Sequence, residues 1–134
     1  MGFHLNIGKC WRFSDDEQPP YPTIELNVSS ADRNAAISPK VDTGFNGSLA
    51  IGIEVVKKLR LTPAGTVLVR TAAGNREVPV YALNLSQPDL GISYATLAIG
   101  TERSLVGRKI LNDRTWLLDC KEERFCIIAQ TEMS

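Results

Sequence analysis

The sequence predicts an all-β domain, closed or folded over into a barrel-like body, with one or two short helices. Three observations lead there. Apolar residues come in short runs that mostly alternate with polar ones, the two-residue period of a half-buried strand. Gly, Pro, Asn, Asp and Ser break these runs at short intervals, as turns require. A chain of 134 residues, 43% hydrophobic and 22% charged, is the size of one domain with a single core. Many short strands around one core close up or fold over. No internal repeat is present.

Phe3, Leu5 and Ile7 alternate with polar residues and predict a short strand in need of a buried partner. Ser14 to Pro20 is polar, acidic and ends in two prolines, so it reads as a solvated connector. Thr23 to Val28 alternates, Ser29 to Asn34 turns, and Ala35 to Val41 runs back, a hairpin with Asp42 at its far end. Ser48 to Ile51 is a short strand. Over Ile53 to Leu61 the residues Ile53, Val56, Leu59 and Arg60 suggest a brief amphipathic helix, which Thr62-Pro63 ends. Thr66 to Val80 is a hairpin turning at Ala72-Ala73-Gly74-Asn75. Leu83 to Leu85 and Ile92 to Ile99 follow as strands, with Gln87 to Gly91 as the turn between them. Leu105 to Leu111 leads into a short helix around Lys109. Thr115 to Asp119 and Phe125 to Ile128 form a last hairpin about Lys121 to Arg124.

Composition removes several functions. Fifteen basic and fifteen acidic residues balance, so no net field draws nucleic acid or an anionic membrane. No apolar run approaches the roughly 18 residues that suggest a membrane span. The first nine residues lack a charged region followed by a long apolar core, so they do not read as a secretory signal, and a cytoplasmic location is expected. Cys10, Cys120 and Cys126 are odd in number and contain no Cys-x-x-Cys pair, which predicts free thiols rather than a disulfide framework or a zinc site. His4 is the only histidine, near a terminus, so a Ser-His-Asp triad, a Cys-His pair and imidazole metal sites all lack their base or ligand. Carboxylate chemistry remains.

The place for it is Pro39-Lys40-Val41-Asp42-Thr43-Gly44-Phe45-Asn46-Gly47-Ser48, where an apolar strand delivers an acid onto a loop with two glycines. Taken alone, Asp42-Thr43-Gly44 is also an ordinary turn composition. In its surroundings Val41 to Gly47 resembles the active-site loop of aspartic proteases, the retropepsin-like branch in particular. Leu105-Val106-Gly107-Arg108 followed by Ile110-Leu111 resembles the motif of two hydrophobics and a glycine that these folds place beneath that loop. The resemblance runs from about Pro22 to Ile128. It divides the chain into an N-terminal extension, residues 1–21, a possible interface strand and linker, and a retropepsin-like domain, residues 22–134.

The resemblance implies an aspartic endopeptidase acting on a peptide or protein, with no cofactor and no metal. Such chemistry uses two carboxylates: one, ionised, takes a proton from water while the other, protonated, polarises the scissile carbonyl. Held close together they titrate as a pair. This chain has one Asp-Thr-Gly and no Asp-Ser-Gly, so the dyad implied is Asp42 with Asp42 of a second copy in a homodimer. Asp42, Thr43 and Gly44 then take the catalytic positions, Thr43 bonding across the two-fold axis and Gly44 letting substrate backbone pass. Phe45 and Asn46 line the cleft, and Ala72, Ala73 and Gly74 form the tip of a flap that closes over substrate. Leu105, Val106, Gly107 and Arg108 support the loop. One departure is Asn46, which stands where viral enzymes carry an acid facing a base at the Arg108 position. Two alternatives stay open: a catalytically weak or inactive retropepsin-like module for dimerisation or peptide binding, and an unrelated small β-barrel.

Overall fold

The structure, a computed structural model, describes the backbone of residues 2–133 and the side-chain surroundings of residues 6–129. Strand β1 (Gly2–Arg12) leads to β2 (Leu26–Ser30) and β3 (Arg33–Ile37), then β4 (Lys40–Val41) and β5 (Leu49–Ile51) flank the Asp42 loop. Helix α1 (Ile53–Leu59) precedes the hairpin of β6 (Gly65–Thr71) and β7 (Gly74–Gln87). After one 3₁₀ turn, Pro88–Leu90, come β8 (Ile92–Gly100), β9 (Leu105–Val106), α2 (Arg108–Leu111), β10 (Thr115–Asp119) and β11 (Arg124–Met133).

The strands form two sheets. One has three strands in the order β1-β11-β10. The other has eight, running β3-β2-β7-β8-β5-β9-β4 with β6 added beside β7. Alternation sets the facing: Leu26 and Val28 are fully buried while Asn27 points out, and Leu83, Leu85 and Gln87 are buried while Ala82 and Asn84 are exposed. In β7 the alternation slips by one residue, because Val80 and Tyr81 are both buried. The slip falls where β7 changes partners, since Val80 is the last residue opposite β6, at Gly65, and the first opposite β8, at Ile99. Beyond that point the hairpin leaves the body of the domain.

One core joins both sheets. Ile24, Leu26, Val28, Leu49, Ile51, Leu59, Leu85 and Val106 are at most 2% exposed, and each such side chain contributes about 1.5–3 kcal/mol by leaving water. Trp11 from β1 and Phe125 from β11 belong to the same cluster, so residues on both sides of position 21 share it. Buried Gln87 is satisfied: its Nε2 donates to Glu25 O at 2.7 Å and its Oε1 accepts from Asp89 N–H at 2.6 Å.

Several expectations need correction. Cys10 and Cys126 are not free thiols but a disulfide, because β1 lies antiparallel to β11 and sets them opposite each other with Cα atoms 4.0 Å apart. Cys120 is free and exposed. In α1 the buried pair is Val55 and Leu59, while Ile53 is 55% exposed. The helix ends at Leu59 with Arg60 in the left-handed region, two residues before Thr62. Leu83 to Leu85 is the middle of a single 14-residue strand. The partner expected for Phe3, Leu5 and Ile7 is the chain's own β11; the side chains of Phe3 and Leu5 lie outside the described residues, and Ile7 is half-exposed. Among the described residues, no helix is long and apolar enough to cross a membrane.

Candidate active site

Three short strands position Asp42. Strand β9 lies between β4 and β5, parallel to β4 (Lys40 opposite Leu105, Val41 opposite Val106) and antiparallel to β5 (Leu49 opposite Val106, Ala50 opposite Leu105). Val106 is fully buried between its neighbours, and Leu105 is half-buried. The chain leaves β4 at Val41, crosses over and returns through β5, so the loop 42–48 bridges two strands held by a common third. Parallel pairing of β4 with β9 cannot be made by a hairpin. It brings together residues more than sixty positions apart in sequence.

The loop is then knitted to the segment after β9. Asp42 N–H donates to Val106 O at 3.0 Å, and Gly107 N–H donates to Ser48 O at 2.9 Å. Arg108 N–H donates to Phe45 O at 2.9 Å and Lys109 N–H to Gly47 O at 3.2 Å, so the start of α2 spends its free amides on the loop's carbonyls. Within the loop, Phe45 N–H donates to Asp42 O at 3.2 Å. The Asp42 carboxylate accepts the Gly44 N–H at 2.9 Å. That bond fixes one carboxylate oxygen on a half-buried side chain and leaves its face open beside exposed Thr43 and Gly44. Among the described residues the Thr43 hydroxyl makes no hydrogen bond within its own chain.

Phe45 turns inward. Its ring fills the space that side chains at Gly47 and Gly107 would occupy, with ring atoms 2.6 and 2.7 Å from ideal Cβ positions there. Asn46 and Arg108 are both exposed and are not joined by a side-chain hydrogen bond among the described residues. Arg108 acts here through its backbone.

Ala72 and Ala73 are the two central residues of the β6–β7 turn, with Thr71 opposite Gly74 and all four exposed. Gly74 has φ of 116°, a backbone region that disfavours any Cβ. Thr71 caps the turn: its Oγ1 donates to Gly74 O at 2.7 Å and accepts Ala73 N–H at 3.2 Å. Among the described residues, no hydrogen bond joins this tip to the Asp42 loop. Between the hairpin, α1 and the end of β8 lies a cleft of about 420 Å³, lined on its apolar walls by Ile51, Ile53, Val56, Val69 and Val78. Thr71 and the cleft residues were not singled out by sequence. Their signal was present in the apolar Ile53, Val69 and Val78, whose facing depends on a hairpin register that alternation alone leaves free.

The N-terminal connector is tied to this region from below. Glu17 Oε1 accepts from Arg103 Nη1 at 3.0 Å and from Lys40 Nζ at 3.3 Å. The two cations also flank the Tyr21 ring, at 4.9 and 5.0 Å from its centre. Hydrogen bonds from Arg103 and then Lys40 hold the Glu17 carboxyl below its ordinary titration range, while burial raises that of Tyr21. Lys40 opens β4 and Arg103 lies two residues before β9, so the cluster sits at the start of this parallel strand pair, at the end away from Asp42.

No protein-family model and no curated protein matches the sequence. Solved structures do match. The EIAV protease complexed with the inhibitor HBY-793 superposes with a TM-score of 0.51 over 72% of this chain and 89% of its own, at 19% identity. The solution structure of the simian foamy virus (mac) protease matches with a TM-score of 0.48 over 67% of this chain and 91% of its own, at 14% identity. With its interlocked loop, its projecting hairpin and the likeness to the EIAV enzyme, the chain has the all-β, retropepsin-like fold of the retroviral proteases.

Proposed function

We propose that this protein is an aspartic endopeptidase whose site is completed when two copies bring their Asp42 side chains together. The observation that carries the reading is the setting of Asp42: a half-buried carboxylate, held through one oxygen by Gly44 N–H, on a loop interlocked with Gly107 and Arg108 and open on its other face. In the dyad one Asp42 is ionised and removes a proton from water. The other is protonated and hydrogen-bonds the scissile carbonyl, so that the oxygen gains charge against a donor. The hydroxyl of Thr43, which has no hydrogen-bond partner among the described residues, bonds to the second loop. The β6–β7 hairpin, with small residues Ala72, Ala73 and Gly74 at its tip, closes over an extended peptide or protein segment. Residues 22–134 form the catalytic domain and residues 1–21 an extension built onto it.

Cleavage of a peptide library by wild type and Asp42→Asn, with sedimentation of both, tests the proposal. A dimeric wild type that cuts, and a dimeric variant that does not, is the expected result; cutting retained by Asp42→Asn overturns it. A peptide-binding module without turnover is the second reading, and Asn46 favours it: with no acid there, Arg108 lacks the ion pair that the resemblance would give it. Such a module binds library peptides and leaves them whole. The cytoplasmic location expected from the sequence and the Cys10–Cys126 disulfide pull in opposite directions, since disulfides persist mainly in oxidising compartments. Thiol trapping in the native cell decides between them.

A further inference from the structure

The Cys10–Cys126 disulfide ties β1 to β11 beside a pocket. The two strands run antiparallel with Cys10 opposite Cys126 and Arg12 opposite Arg124. Residues two apart on a strand share a face, so the disulfide and both guanidinium groups belong to one side of the sheet. Trp11 and Phe125, the pair between them, belong to the core cluster. An open pocket of about 500 Å³ is lined by Cys10, Trp11, Arg12 and Arg124 and, from the turn after β10, by Glu122. That volume falls within the range of about 300–1,000 Å³ that small ligands occupy. Like charges set directly opposite each other repel, and an anion between Arg12 and Arg124 relieves that repulsion. Arg124 donates only its Nε, to Asp119 Oδ2 at 3.1 Å, so its terminal nitrogens have no hydrogen bond among the described residues. Arg12 is exposed and, like Glu122, makes no ion pair among the described residues.

The two sulfurs differ in access. Cys126 is fully buried, whereas Cys10 is half-buried and lines the pocket. Disulfide exchange starts with a thiolate reaching one sulfur, and here that sulfur is the one on Cys10. We propose that the pocket is a thiol-exchange site for a small peptide thiol of the glutathione class, with two carboxylates and one ammonium group. The carboxylates bind at Arg12 and Arg124, the ammonium binds at Glu122, and the thiolate meets Cys10. A bond forms between the ligand sulfur and Cys10 Sγ as the Cys10–Cys126 bond breaks. The electron pair leaves on Cys126 Sγ, which takes a proton from water because burial disfavours the thiolate. A second ligand thiolate then attacks the ligand sulfur of the mixed disulfide. It frees Cys10 as a thiolate and departs as the ligand's own disulfide, so two ligand thiols supply the two electrons that the cysteines gain. Strand β1 is then no longer bonded covalently to β11. This site is independent of the reading of Asp42.

The test follows opening of the disulfide in the full chain carrying Cys120→Ser, which removes the exposed free thiol from the exchange. Reduced glutathione, uncharged mercaptoethanol and cationic cysteamine are compared, with each rate expressed per thiolate. Glutathione should open the bond roughly tenfold faster than mercaptoethanol, and cysteamine should be the slowest. The glutathione rate should level off as its concentration rises, and peptide mapping after an acid quench should place the first adduct on Cys10. Adding Arg12→Gln should lower the glutathione rate several-fold more than the mercaptoethanol rate. S-methylglutathione, which has the charges but no thiol, should slow opening by mercaptoethanol in the chain that keeps Arg12. That readout does not depend on how the Arg12→Gln variant folds. Equal rates for the three thiols, a glutathione advantage that survives Arg12→Gln, a first adduct on Cys126, or indifference to S-methylglutathione overturns the proposal.

Discussion

Gly107 lies so close to Phe45 that an ideal Cβ on it would sit 2.7 Å from the Phe45 ring and 2.8 Å from the Phe45 carbonyl oxygen. The second contact is with backbone that is itself fixed, because Phe45 O accepts the Arg108 N–H. Nothing there can move without shifting the Asp42 loop. Gly107→Ala should therefore destabilise the fold by about 1–3 kcal/mol, the usual cost of overpacking. It should also lower cleavage by more than the loss of folded protein explains. Thermal melting beside kcat/KM reads both; a variant with normal stability and activity would show that the loop is not seated on Gly107.

The disulfide makes a separate prediction. Cys10 and Cys126 close a loop with a sequence separation of 116, and Cys126 is fully buried. Thiol titration of the folded, unreduced protein should find one reactive group, Cys120, and three after reduction and unfolding. Cys10→Ser should cost about 2–5 kcal/mol, because the unfolded chain regains the freedom the bond removed. Three reactive thiols in the native protein would contradict the pairing.

Much of this fold was legible because it is local. The Asp42 loop and the Leu105–Arg108 segment announce themselves by residue type, and the β6–β7 hairpin by turn composition. What the sequence hid was long-range register. Cys10 and Cys126 are ordinary cysteines until β1 is known to pair with β11, and nothing local distinguishes that pairing from one with another strand. Ile53 fits a helical stripe on paper, yet the helix is turned so that Val55 and Leu59 face the core. The slip of alternation at Val80 and Tyr81 is set by a change of partner strand, which no two-residue period records.

Glu17 should make the acid stability of the domain distinctive. Hydrogen bonds from Arg103 and Lys40 lower its titration in the folded state, so its contribution is present above the unfolded value, about pH 4.3, and is lost as pH falls through the lower folded value. Raising pH from neutral does not change it. The stability difference between wild type and Glu17→Gln should be seen at pH 7 and disappear at strongly acid pH, with salt shrinking it because the pairs are exposed. Denaturant melts of both proteins across that range provide the check. A difference that persists below the titration of every carboxylate would mean that the Glu17 charge is not its cause.

Ile53 is one of several large apolar side chains left exposed, and the one that opens onto the cleft beside α1. It opens α1, is 55% exposed, and faces the cleft with Val56, Val69 and Val78 rather than the buried cluster. Exposed positions away from the core tolerate substitution within about 0.5 kcal/mol, so Ile53→Asp should fold and melt much as wild type does. If the cleft takes an aliphatic side chain of the bound peptide, the same change forces that side chain beside a carboxylate. KM for peptides with Leu, Ile or Val near the cut should then rise several-fold, about 1 kcal/mol, with kcat nearly unchanged, since the loss falls equally on bound substrate and transition state. Peptides with small polar residues at those positions should be insensitive. Equal effects on both peptide classes would place Ile53 outside the substrate's path and leave its exposure to another cause.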